Sequence, residues 1–96
     1  MGEGKEEGRH GLLRVVSGCM APRIPAGSWV LYDREREAQP DDVVVVGTDD
    51  GRTVLKRLIE IDGVWHLTAA RNSVPPVPVG ALGRILGVIL TVTHRP

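Results

Sequence analysis

The 96-residue sequence predicts an all-β domain, a small barrel or folded sheet. Three observations carry this. The apolar stretches are short and rich in Val, Ile and Leu, and turn signals separate them roughly every ten residues. Two of those signals, Asp50-Gly51 and Asp62-Gly63, are dipeptides that close β-hairpins. No stretch carries a helical period beyond a single turn after Cys19.

From the N-terminus, residues 1–11 are polar and glycine-rich and read as a flexible tail, because such a segment buries too little surface to offset its ordering entropy. Residues 12–96 form the domain. Leu12 to Val16 is a short strand. Ser17 to Gly27 is a loop that contains Pro22 and Pro25. Ser28 to Tyr32 is a second strand, since Trp, Val and Tyr suit a pleated surface. A charged connection, Asp33 to Asp42, leads to Val43-Val44-Val45-Val46, a continuous apolar run expected to be buried on both faces. Asp49-Asp50-Gly51 turns the chain into a long strand from Arg52 to Ile61. Asp62-Gly63 turns it again into Val64 to Ala69. Residues 71–80 are a proline-punctuated loop, and Arg84 to Thr93 is the closing strand.

Composition excludes several functions. The formal net charge is zero and the pI is near neutral, so direct contact with nucleic acid is not expected. One cysteine precludes an internal disulfide. No apolar run approaches the roughly 20 residues that span a bilayer, and the polar N-terminus lacks the apolar core of a signal peptide. The expectation is a soluble cytoplasmic domain without a membrane span. One cysteine and three dispersed histidines do not make a zinc site, and Gly80, Gly83 and Gly87 do not make a phosphate loop. No metal or cofactor is expected.

Two residues stand out. Against ten arginines the chain has two lysines, Lys5 in the tail and Lys56 in an apolar strand. Arginine keeps its proton in proteins, whereas a desolvated lysine can release it and serve as a general base. Val54, Lys56 and Leu58 share one strand face. The simpler reading of Lys56 is a stem lying on the sheet with its charge in water. Cys19, the sole cysteine, sits in Ser17-Gly18-Cys19-Met20-Ala21-Pro22 directly after a strand. Gly18 permits an unusual backbone conformation and Pro22 stiffens the chain after the cysteine, which suits a nucleophile held at a tight turn. A buried cysteine that serves only as a small hydrophobe fits the same residues.

Ser17-Gly18-Cys19-Met20-Ala21-Pro22-Arg23-Ile24, then Gly27, resembles the nucleophile box of the S24/S26 peptidases, the repressor-type (LexA-like) self-cleaving proteases and the type I signal peptidases. The segment Pro40-Asp41-Asp42, the valine run and Val54-Leu55-Lys56-Arg57-Leu58 are similar to the family's second box. Leu67 to Asn72, with Ile85-Leu86-Gly87-Val88 downstream, is similar to its close. The resemblance spans residues 12–94 and implies the all-β fold of that catalytic domain. It implies a dyad in which Cys19 occupies the nucleophile position and Lys56 that of the general base, a known variant of triad logic. The Cys19 N–H and the Ser17 hydroxyl would form the oxyanion hole, while Gly18, Met20 and Pro22 would shape the turn.

Five departures qualify the resemblance. Cysteine replaces serine, which keeps a nucleophile but changes its acidity. Asp41-Asp42 stands where the family has Gly-Asp, so a different turn is expected there. Within the 96 residues no helix-turn-helix, no Ala-Gly or Cys-Gly bond upstream of Cys19 and no membrane anchor is read, so neither a DNA-binding domain, nor self-cleavage, nor anchoring is expected. The residues then support two functions. One is an endopeptidase that cleaves an extended polypeptide in trans. The other is a catalytically impaired regulator that binds peptides or forms a homodimer, with Cys19 used for packing. A Cys19–His66 pair is a lesser alternative, because His66 shares a face with Val64 and Thr68, opposite Trp65 and Leu67. Trp29 and Trp65 read as packing residues.

Overall fold

The computed structural model describes residues 6–15, 24, 26–69 and 75–93. Eight strands are formed: β1 (Glu6–Glu7), β2 (His10–Arg14), β3 (Trp29–Asp33), β4 (Val43–Thr48), β5 (Thr53–Ile61), β6 (Val64–Thr68), β7 (Val77–Pro78) and β8 (Gly83–Thr93). They pair antiparallel in one sheet of order β1-β2-β3-β8-β4-β5-β6-β7. The fold is all-β, as the sequence predicts. It is a folded sheet, since β1 and β7 each pair on one side only among the described residues. There is no helix among those residues, and hence none long and apolar enough to cross a membrane.

The central valines set the packing. Alternate side chains of a strand leave opposite faces. Val43 and Val45 join a first cluster with Leu13, Val15, Ile24, Val30, Tyr32 and Leu55, while Leu86 and Ile89 pack against it. Val44 and Val46 join a second with Ala38, Leu58, Leu67 and Val88, flanked by Val54, Trp65 and Ile85. Val44, Val45 and Val46 are fully buried. Each such side chain contributes about 1.5–3 kcal/mol relative to an exposed position. The apolar run is therefore buried on both faces, in agreement with the sequence reading.

The hairpin turns also agree with the sequence. Asp62 (φ 51) and Gly63 (φ 78) occupy the two left-handed positions that a tight two-residue hairpin requires. Two expectations shift. Residues 6–7 and 10–11, inside the stretch read as a tail, are strand: Glu6 pairs with Gly11 and Glu7 with His10. Val77–Pro78, inside the stretch read as loop, pairs with His66 and Leu67 as a two-residue edge strand, a place that tolerates proline.

Long-range polar contacts hold the early hairpin in place. The Arg9 Nε donates to both Asp33 oxygens, at 2.9 and 2.8 Å. The N–H groups of Glu35 and Arg36 donate to Asp33 Oδ1 at 2.9 and 3.2 Å. The Arg34 guanidinium donates to the carbonyls of Gly8 (2.8 Å) and His10 (3.0 Å) and lies over the Tyr32 ring. That ring needs bare backbone on both sides. A Cβ at Gly11 would collide with it, and one at Gly87 would stand 2.7 Å from Tyr32 Cδ2 and 2.8 Å from the Asp33 carbonyl oxygen.

Burial pushes the Asp33 carboxyl up, but the Glu35 N–H, the Arg9 guanidinium and the Arg36 N–H together outweigh it and hold its pKa below the ordinary carboxylate range. A carboxylate depressed in the folded state stabilises it above the unfolded pKa, and that stability is lost as pH falls through the folded pKa. Asp33→Asn is therefore expected to lower Tm at pH 7. The gap to the parent should close as pH is taken below about 4, in thermal melts across a pH series. A gap that stays constant with pH would refute the assignment.

Candidate active site

Lys56 lies in the middle of β5, between β4 and β6. It is directly across from Val44, and Val46 faces Val54 in the same ladder. By alternation it shares its face with Val54 and Leu58, both members of the second cluster or its border. The side chain is half-buried. Among the described residues it has no hydrogen-bond or ion-pair partner.

The turn before β4 braces this strand. The Asp41 N–H donates to the Leu58 carbonyl at 2.6 Å, and the Leu58 N–H donates to the Asp42 carbonyl at 2.9 Å. The Asp42 carboxylate accepts the Gln39 N–H at 2.9 Å. Asp41 has φ 78, in the left-handed region that glycine favours. The Asp-for-Gly departure thus leaves the chain in a glycine-type conformation. The turn is bonded to Leu58, two residues along the strand from Lys56.

Cys19, Ser17, Gly18, Met20 and Pro22 lie outside the described residues. The flanks of their segment are described. Val15 and Ile24 are both buried in the first cluster, together with Leu55, the residue before Lys56. Val15 and Ile24 lie on the side of β5 opposite to that of the Lys56 side chain. His66 is half-buried and its Nδ1–H donates to the Val64 carbonyl at 2.9 Å, a local contact within its own strand. Trp65 and Leu67 face the second cluster, opposite His66, as expected. Among the described residues no group of His, Cys, Asp and Glu could hold a metal ion.

Lys56 thus lies on an inner strand of an all-β sheet. The family described as Peptidase S24-like matches residues 3–90. The chain belongs to that family. No curated protein matches the chain. In this S24-like domain two features lie beyond the sequence reading. One is the left-handed Asp41, which the departure from Gly-Asp could have flagged. The other is Arg57, whose buried Nε has no signal in an Arg-rich sequence.

Substitutions at Asp41 report on the brace. A left-handed conformation costs an L-residue with a Cβ about 1 kcal/mol or more, and a short polar side chain eases it. The expected order of stability is Gly, then Asp, then Ala, with Ala about 1 kcal/mol below Gly, read from urea unfolding of the three variants. Ala equal to Gly would show that the turn bears no such strain.

Proposed function

We propose that this S24-like domain is an endopeptidase that cleaves extended polypeptides in trans, with Cys19 as nucleophile and Lys56 as general base. What supports the reading is Lys56 itself: an unpartnered amine, among the described residues, on an apolar stretch of an inner strand in a chain of the peptidase S24-like family. The residues of the proposed nucleophile turn, Ser17 to Pro22, support it from the sequence.

In the proposed reaction the Lys56 amine takes the proton of the Cys19 thiol, and sulfur attacks the scissile carbonyl carbon. The Cys19 N–H and the Ser17 hydroxyl donate to the oxyanion. Collapse breaks the C–N bond, and the Lys56 ammonium gives its proton to the departing amine. The resulting thioester is hydrolysed by water. Lys56 accepts the water proton and returns it to the leaving thiolate, which restores the enzyme. The mechanism requires the Cys19 thiol within hydrogen-bond reach of the Lys56 amine.

A second reading, a regulator that binds peptides or associates with itself without cleavage, draws on a different observation. Leu12 and Leu31 are cross-strand partners, Trp29 shares their face, and all three side chains are exposed. Single exposed apolar residues are ordinary, but a contiguous row is a contact surface.

The test is cleavage of a peptide library digested from a whole proteome and read by mass spectrometry. Cys19→Ala and Lys56→Met are each expected to lower kcat/KM by about a thousandfold or more, while Cys19→Ser retains activity. Cleavage that survives both substitutions would eliminate the dyad. No cleavage by the parent, together with concentration-dependent self-association lost in Leu31→Glu, would favour the second reading.

A further inference from the structure

Arg57, next after Lys56, leaves β5 from the opposite face, the side of Leu55 and the first cluster. Its cross-strand neighbours are Val43 and Thr68. Valine offers no side-chain acceptor, and the Thr68 hydroxyl, which donates to the Ala69 carbonyl at 3.3 Å, accepts no bond from the Arg57 Nε. The Arg57 Nε is buried without a hydrogen-bond partner, the only such side-chain nitrogen or oxygen among the described residues. A buried donor left unpaired carries its full desolvation cost, so an empty one calls for an acceptor.

The molecule shows what its arginine Nε groups take. Arg9 Nε meets both oxygens of Asp33, and Arg52 Nε meets Asp50 Oδ2 at 2.9 Å. In each case the partner is a carboxylate. Arg57 as a whole is only partly buried, and its Nε would have to turn outward to meet an incoming group. Nε and one Nη lie on the same edge of the guanidinium, which matches a carboxylate side-on. On this face of β4, β5 and β6, His66 is the only other ionisable group among the described residues, and it stands across from Ile59. A single guanidinium matches a single negative charge. The zero net charge supplies no wider basic field for a phosphate-rich partner.

We propose that Arg57 is a binding site for a carboxylate carried by a polypeptide, either an acidic side chain or a chain terminus. The site concerns binding alone and holds whether or not Cys19 acts as a nucleophile. Its test therefore does not depend on cleavage.

The experiment tracks the Arg57 Nε–H cross-peak of the full chain carrying Cys19→Ala, assigned by its loss in Arg57→Lys. Four probes are titrated: N-acetylglutamate N-methylamide, its glutamine counterpart, N-acetylalanine and N-acetylalanine amide. Inorganic phosphate is the fifth. A saturable shift with the glutamate compound assigns the site to an acidic side chain, and one with N-acetylalanine assigns it to a chain terminus. The amides are expected to leave the peak in place. No saturable shift with either carboxylate, equal shifts with the amides, or a shift with phosphate alone would overturn the proposal. For a peptide bearing the favoured carboxylate, Arg57→Gln is expected to weaken binding about tenfold or more and to leave the matched amide peptide unchanged. Equal weakening of both peptides would mean that Arg57 serves only the fold, and would sink the proposal.

Discussion

Everything in this sheet is joined through β8. The strands β1, β2 and β3 form one run, and β4 to β7 form another, with no pairing between β3 and β4. The two runs meet only because β8 bonds to β3 along one edge and to β4 along the other. Both clusters need it too. Leu86 and Ile89 cover the first, while Val88 and Ile85 belong to the second or its border. The ladders of β8 with its two neighbours each carry a register shift, at Leu31/Tyr32 and at Val45/Val46. Gly87 sits at this junction, where the Tyr32 ring and the Asp33 carbonyl leave no space for a Cβ.

β5 carries two kinds of positive charge side by side. Lys56 and Arg57 are adjacent, and alternation sends them to opposite faces. The lysine lies among aliphatic side chains without a counter-ion among the described residues. The arginine keeps its charge in any setting and can only attract. A strand held on both sides is a stiffer platform for such groups than a loop. β5 is held by β4, by β6 and by the Asp41–Leu58 and Leu58–Asp42 backbone bonds.

The legible parts of the fold are those fixed by short-range pattern. Four consecutive valines read as a strand buried twice because no polar residue breaks the run. Asp62-Gly63 reads as a turn because few other dipeptides accept two positive φ angles. Residues 6–11 are illegible because their strand character comes from partners far along the chain: Asp33 on Arg9, and Arg34 on the carbonyls of Gly8 and His10. Val77–Pro78 escapes because a proline argues against a strand unless the edge is known. The strand order cannot be read, since β8 pairs with strands that lie some forty to sixty residues earlier. At the candidate site, Lys56 and its aliphatic flanks are visible from alternation alone. The empty Nε of Arg57 is not, because a strand arginine in sequence looks like a solvated charge.

The central place of β8 also governs how the chain is made. Synthesis runs from the N-terminus at about 5–20 residues per second. While residues up to Leu82 emerge, the edges of β3 and β4 that β8 will occupy have no strand between them, and the two halves of the sheet share no ladder. Hairpins such as β5–β6 can form early, but neither cluster can close. Until residues 83–93 are made, the edges of β3 and β4 that β8 covers in the folded sheet lack their partner strand.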